Sequence, residues 1–176
     1  IIEVYMILTE NDYESLKKFI VVLEDVVPSK VCDRVIKEYK NAKDWEQAGI
    51  GVGDTDRTVR NTDVIPISKP EVIVKNQKQR AEIDALIFQS ASTSIRYYNS
   101  LYQNVSIQED SGYDLLRYST GQYYVEHVDS FKKHPRAVSC SFALNDNFEG
   151  GEFAFFGRKF KYNLKKGSAI MFPSNF

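Results

Sequence analysis

The chain has 176 residues and a mass of 20.2 kDa, with 43% hydrophobic, 27% charged and 13% aromatic residues, a composition that excludes a disordered segment and suits one domain able to bury roughly 70% of its unfolded surface. Lys and Arg number 23 against 24 Asp and Glu, for a formal net charge of −1, so the basic footprint of a nucleic-acid binder is missing and no nucleic-acid partner is expected. No apolar run exceeds five residues, Phe19 to Leu23 being one, against the roughly 20 that cross a bilayer as a helix, so no membrane partner is expected either.

The chain opens on Ile1-Ile2-Glu3 without an initiator methionine, which is read as the mark of a removed leading segment. The first periodic stretch follows Pro28-Ser29: Val31, Cys32, Val35, Ile36 and Tyr39 recur at helical spacing, with Ser29 as the expected N-cap. Residues 49–63 are polar and glycine-rich and read as a solvent-facing loop leading into a strand, Val64 to Ile67. The Gly51-x-Gly53 pair inside that loop lacks the third glycine and the following Lys-Ser/Thr of a phosphate cradle. From Gln77 to Tyr102 the residues Ile83, Ile87, Ala91, Ile95, Tyr98 and Tyr102 return every three or four positions, predicting one long amphipathic helix against a sheet. After Gly112 the period becomes two: Val138, Cys140, Phe142 and Leu144 alternate with small residues, and Phe160, Tyr162 and Leu164 with polar ones. Gly150-Gly151 and Lys166-Gly167 read as turns between these runs. Helices followed by short strands predict an α+β fold, an antiparallel sandwich or barrel flanked by helices, in a single domain over 1–176: helical support 1–105, β core 106–176. Cys32 and Cys140 match no metal or redox spacing; a pair of buried thiols is the favoured reading and one long-range disulfide the alternative.

The chain has only two histidines, His127 and His134. His134 lies in the basic Lys132-Lys133-His134-Pro135 stretch and reads as solvent-exposed. His127 lies in the β-prone run Tyr123-Tyr124-Val125-Glu126-His127-Val128-Asp129, where an extended backbone would project His127 and Asp129 to one side. An imidazole nitrogen beside a carboxylate offers two neighbouring metal ligands of the kind that suits Fe(II). A surface histidine next to an aspartate is the ordinary alternative for the pair taken alone.

The wider pattern is more specific. Tyr118-x-x-Gly121-x-x-Tyr124-x-x-His127-x-Asp129, then Arg136-x-x-Ser139, Leu144-Asn145, Phe148-x-Gly150-Gly151-Glu152 and Leu164-Lys165-Lys166-Gly167-Ser168-Ala169-x-x-Phe172-Pro173 resemble, in order and spacing, the prolyl 4-hydroxylase-like Fe(II)- and 2-oxoglutarate-dependent dioxygenases. Upstream, Val26 to Ile36 resembles that family's first strand and first helix. The resemblance implies a double-stranded β-helix, or jelly-roll, core with N-terminal flanking helices and the metal at its mouth. It makes His127 and Asp129 two members of a 2-His-1-carboxylate facial triad whose open side takes 2-oxoglutarate and O2. It implies oxidative decarboxylation to succinate and CO2 coupled to hydroxylation of an unactivated C–H, foremost a peptidyl proline, with ascorbate as an accessory reductant. Tyr118 takes the place of the tyrosine that reaches the co-substrate, Tyr124 of a substrate-facing aromatic, and Arg136 of an arginine that contacts the peptide. The implied partner is a peptide or protein substrate, proline-rich in the leading case; Arg57 and Arg60 are weighed as groove residues, with a solvent-facing loop favoured.

The family pattern also needs a second histidine after the Lys166-Gly167 turn, and then a Lys or Arg for the distal carboxylate of 2-oxoglutarate. Neither occurs before Phe176, and the third ligand is expected beyond it, in a chain truncated at its C-terminus. Phe153 stands where many prolyl hydroxylases carry a threonine. The same chemistry on another amino-acid substrate, and a catalytically inactive β-helix module that binds a peptide or protein, are the competing functions. The absence of a leader pattern and of a disulfide framework gives a cytoplasmic expectation.

Overall fold

The computed structural model describes residues 8–50, 54–68, 77–102, 105–130 and 135–176. In chain order the elements are α1 (Glu10–Lys17), β1 (Val21–Leu23), α2 (Ser29–Tyr39), β2 (Glu46–Gln47), β3 (Arg60–Asn61), β4 (Asp63–Pro66), α3 (Gln77–Leu101), β5 (Asp114–Arg117), β6 (Tyr123–Tyr124), β7 (Val138–Phe142), β8 (Phe153–Phe155), β9 (Phe160–Tyr162) and β10 (Ala169–Pro173).

Helix α1, which periodicity did not reveal, starts with a reciprocal cap: Asp12 N–H donates to Thr9 Oγ1, and Thr9 N–H donates to Asp12 Oδ2 at 2.7 Å. It buries no residue of its own and docks through Tyr13 on Phe156 and Lys17 on the Phe160 ring. Helix α2 buries Val31, Cys32, Val35 and Tyr39, as its spacing predicts. Its N-cap is Pro28 rather than Ser29, whose hydroxyl makes no capping bond. The Pro28 carbonyl already accepts from Val31 N–H and Cys32 N–H, so Ser29 is the first helical residue, one position too far along to cap. Helix α3 turns Ile83, Ile87, Ala91 and Tyr98 inward. Its buried serines are satisfied locally: Ser94 Oγ donates to Ser90 O, and Ser90 Oγ donates to Val26 O. No helix among the described residues is long and apolar enough to cross a membrane.

Strand β10 is central to the core. Its Ala169, Ile170, Met171 and Phe172 are all buried, and it runs antiparallel between β1 and β7, with Met171 opposite Val21 on one side and Cys140 on the other. A second sheet has the order β2-β4-β5, and two ribbons pair β3 with β6 and β8 with β9. These short antiparallel pieces make up the jelly-roll core, and the α+β expectation holds. The halves interleave, since β1 to β4 come from the part read as helical support. The predicted strand at Val64 to Ile67 is observed as Asp63–Pro66; Ile67 still donates its N–H to Tyr113 O.

One apolar cluster lies between α2, α3 and the β4/β5 sheet, around Val35, Ile65 and Ile83. The other, around Ile20, Phe155, Ile170 and Phe172, takes in Phe153, whose ring thus serves packing. Gly167, at φ +85°, lets the turn before β10 press against α2's approach: its carbonyl accepts from Val26 and Val27 N–H, and an added Cβ would lie 2.6 Å from Val27 O. Cys32 and Cys140 are both free thiols. Burial raises both, Cys140 to about 12, which makes it a poor nucleophile.

Candidate metal centre

The site is built where β6 leaves its ladder. Tyr124 pairs across to Arg60 and Tyr123 to Asn61, and Val125 N–H donates to Val59 O. Beyond Val125 the chain bends, so His127 and Asp129 do not lie on a regular strand as the alternation suggested. They are brought together all the same. Asp129 N–H and Ser130 N–H both donate to Ser174 O, at 2.8 and 3.1 Å, which ties the bend to the residue just past β10.

His127 Nδ1 is 2.7 Å from Val125 O. A carbonyl only accepts, so Nδ1 carries a hydrogen and a neutral ring has its lone pair on Nε2. That nitrogen faces Asp129 Oδ1 at 3.1 Å. Two acceptors at this separation need a proton or a cation between them. The spacing equals that of two adjacent ligands on a metal with bonds of about 2.1 Å at right angles, whose donor atoms lie about 3.0 Å apart. The anchored Nδ1 is the usual second partner of a metal-binding imidazole. The pair therefore fits a divalent metal.

The other carboxylate oxygen is already engaged. Ser139 Oγ, on β7, donates to Asp129 Oδ2 at 2.6 Å and lies 3.0 Å from Ser174 Oγ; Ser174 is 1% exposed. Burial by itself raises the Asp129 carboxyl, but hydrogen bonds from His127 and Ser139, with the charges of His127 and Arg136, outweigh it and hold the group below the usual aspartate range. Asp129 is an anion with Oδ2 engaged by Ser139 and Oδ1 turned to His127.

Tyr124 lies flat on the His127 ring, centroids 3.5 Å apart and planes 18° from parallel. The Arg60 guanidinium sits over the Tyr124 ring, 4.5 Å from its centroid, and its Nη1 donates to Gly49 O at 2.8 Å. Arg60 is therefore part of this centre, and the solvent-facing reading is corrected for it; Arg57 stays exposed and bonds Asn61 Oδ1. Burial raises the Tyr124 phenol, and the Asp129 and Tyr118 groups add to the rise against Arg60, which places Tyr118 within electrostatic reach. Tyr118, just past β5, is largely exposed, as is Arg136, whose N–H donates to Ser130 Oγ.

His127, Asp129, Tyr124, Arg136 and Tyr118 are thus brought to one region. Ser139, Ser174 and Arg60 were not foreseen as parts of it. Ser139 belongs to the quoted pattern and could have been flagged; Arg60 enters the sequence reading only as a weighed groove residue, and nothing local marks Ser174. His134 lies outside the described residues. Among the described residues no three His, Cys, Asp or Glu converge on one point.

Residues 113–176, which hold this centre, match the family model of the 2OG-Fe(II) oxygenase superfamily. No curated protein sequence matches the chain. In solved structures the fold recurs in a prolyl hydroxylase from Trichoplax adhaerens, in complex with a hypoxia inducible factor oxygen degradation domain peptide fragment (TM-score 0.71, 14% identity, 93% of this chain and 76% of that one). It recurs in a Pseudomonas putida prolyl-4-hydroxylase (0.58, 17%, 89% and 81%) and in the 2OG complex of a viral collagen prolyl hydroxylase from Paramecium Bursaria Chlorella virus-1 (0.60, 20%, 88% and 77%). The fold of this chain is thus the one these three hydroxylases share.

Proposed function

We propose that the chain is the Fe(II)- and 2-oxoglutarate-binding domain of a hydroxylase acting on a peptidyl proline. The observation that carries this reading is the facing pair His127 Nε2 and Asp129 Oδ1, 3.1 Å apart with both rear atoms anchored. When bound, Fe(II) with 2-oxoglutarate and O2 supplies the oxidation that hydroxylates a C–H bond. The chain's own residues do the holding: His127 presents a lone pair fixed by Val125 O, and Asp129 presents one oxygen because Ser139 occupies the other. Tyr118 is assigned to the co-substrate and Tyr124 and Arg136 to the substrate. A peptide is favoured because a structure of the same fold holds a peptide fragment, and Arg136, exposed near Asp129, offers donors for backbone carbonyls. Ascorbate is proposed only as a reductant that maintains Fe(II).

The test uses the full-length protein. Anaerobic addition of Fe(II) and 2-oxoglutarate should give a visible metal-to-ligand charge-transfer band, and succinate release in air should rise with proline-rich peptides. Asp129→Ala should lose both while keeping the far-UV CD spectrum. A wild-type protein without the band would indicate the inactive binding module instead. Succinate release that no proline peptide stimulates would leave the oxygenase but remove the proline substrate.

A further inference from the structure

The Arg60 side chain has no evident task of its own. It belongs to β3, far in sequence from the ligands, yet it is the direct cross-strand partner of Tyr124, so both side chains leave the β3–β6 ribbon on the same face. The three groups form a pile: guanidinium, phenol ring, imidazole, with 4.5 Å between the first two and 3.5 Å between the second two. One end of the guanidinium is tied to Gly49 O, and its buried Nε meets no acceptor among the described residues. A guanidinium that leaves a donor unpaired and lies over a ring instead is placed for the ring. A cation on a tyrosine face contributes about 0.5–2 kcal/mol according to how dry the site is, and the ring cannot swing away without losing it.

We propose that Arg60 is a positioning residue for His127, acting through Tyr124: it clamps the tyrosine ring, and the ring fixes the plane in which Nε2 meets the metal. The proposal rests on the metal-centre reading above. The Val125 carbonyl fixes one point of the imidazole but leaves rotation about that hydrogen bond, and the Tyr124 face removes it. Arg60 touches neither ligand, so its effect must vanish when Tyr124 is gone. That dependence separates it from a residue that merely holds the loop to Gly49.

The experiment is a double-mutant cycle in the full-length protein read by Co(II) affinity, with no co-substrate and no turnover. Arg60→Met and Tyr124→Leu should each weaken Co(II) binding about tenfold, the size seen for outer-shell partners of metal ligands. Tyr124→Phe, which keeps the ring, should stay within about twofold of wild type, and the double variant Arg60→Met/Tyr124→Leu should be no weaker than Tyr124→Leu alone. In metal-free protein the His127 ring 15N signals should broaden or split in Arg60→Met. Wild-type Co(II) affinity in Arg60→Met, or additive losses in the double variant, would overturn the proposal. Should Arg60→Met fail to fold by CD, Arg60→Lys replaces it: the retained cation should keep affinity within about threefold, and a tenfold loss would overturn the clamp. His127→Ala is the control. If it abolishes Co(II) binding while Arg60→Met is unchanged, only the clamp is lost; if it leaves binding intact, the metal centre falls and the clamp with it.

Discussion

The hydrogen bond from Ser139 to Asp129 makes a sharp prediction, because it divides the two oxygens of one carboxylate. Ser139→Ala removes a 2.6 Å donor from an anion and leaves Ser174 Oγ facing a methyl group. Hydrogen bonds to charged groups contribute about 1.5–3 kcal/mol. The Asp129 side chain is 30% exposed, so water replaces part of the lost bond and the lower end, about 1–1.5 kcal/mol, is expected. For a chain of this size that is a fall in Tm of roughly 2–6 °C in the metal-free protein. Metal binding should suffer more, about 10-fold or beyond, because the freed carboxylate rotates and no longer presents one oxygen at the His127 spacing. Urea unfolding and Co(II) titration measure the two effects separately. Ser139→Thr keeps the hydroxyl on a strand that favours branched residues, and should restore most of the affinity. Should Ser139→Ala bind Co(II) like wild type, Asp129 would be positioned by backbone alone, through its N–H on Ser174 O, and the argument from divided oxygens would be wrong.

Two further outcomes concern the fold that carries the centre. Gly167→Ala should cost more than about 2 kcal/mol, since a left-handed residue other than glycine costs roughly 1–2 kcal/mol and its Cβ would also strike Val27 O, a backbone atom; an unshifted urea midpoint would contradict it. Tyr98 is 2% exposed and donates to Phe19 O, and burial, with the nearby Tyr102 phenol, pushes it up to about 12. The folded state thus holds this proton more tightly than the unfolded state. Its contribution is complete below the ordinary tyrosine value near 10 and is lost as pH rises toward 12, with a ceiling of about 3 kcal/mol. Stability of Tyr98→Phe should fall less steeply between pH 10 and 12 in urea titrations, and parallel curves for the two proteins would remove Tyr98 as the source.

Local information sufficed for much of this protein. The stripes of α2 and α3 are set by a 3.6-residue period that any short window reveals, and the alternation of Val138 to Phe142 and Phe160 to Tyr162 by a period of two. His127 and Asp129 are two residues apart, so the chain itself keeps them close, and the ordered pattern from Tyr118 to Pro173 lies within the residues that match the oxygenase family model. The cap of α2 was misplaced by one residue, because Ser29 and Pro28 satisfy the same end in different ways and only the hydrogen bonds choose. What the tertiary structure alone decided is everything that crosses long stretches of chain. The turn at Ser174 holds Asp129 from 45 residues away, and β1 joins β10 from the opposite end of the chain. Arg60 reaches Tyr124 only because β3 pairs with β6. Such contacts leave no periodic trace: an arginine in a glycine-rich loop and a serine after a proline look solvent-facing until the strands that carry them are paired. His127 and Asp129 were legible as a pair because they are neighbours in the chain, and the groups packed around them were not, because only folding makes them neighbours.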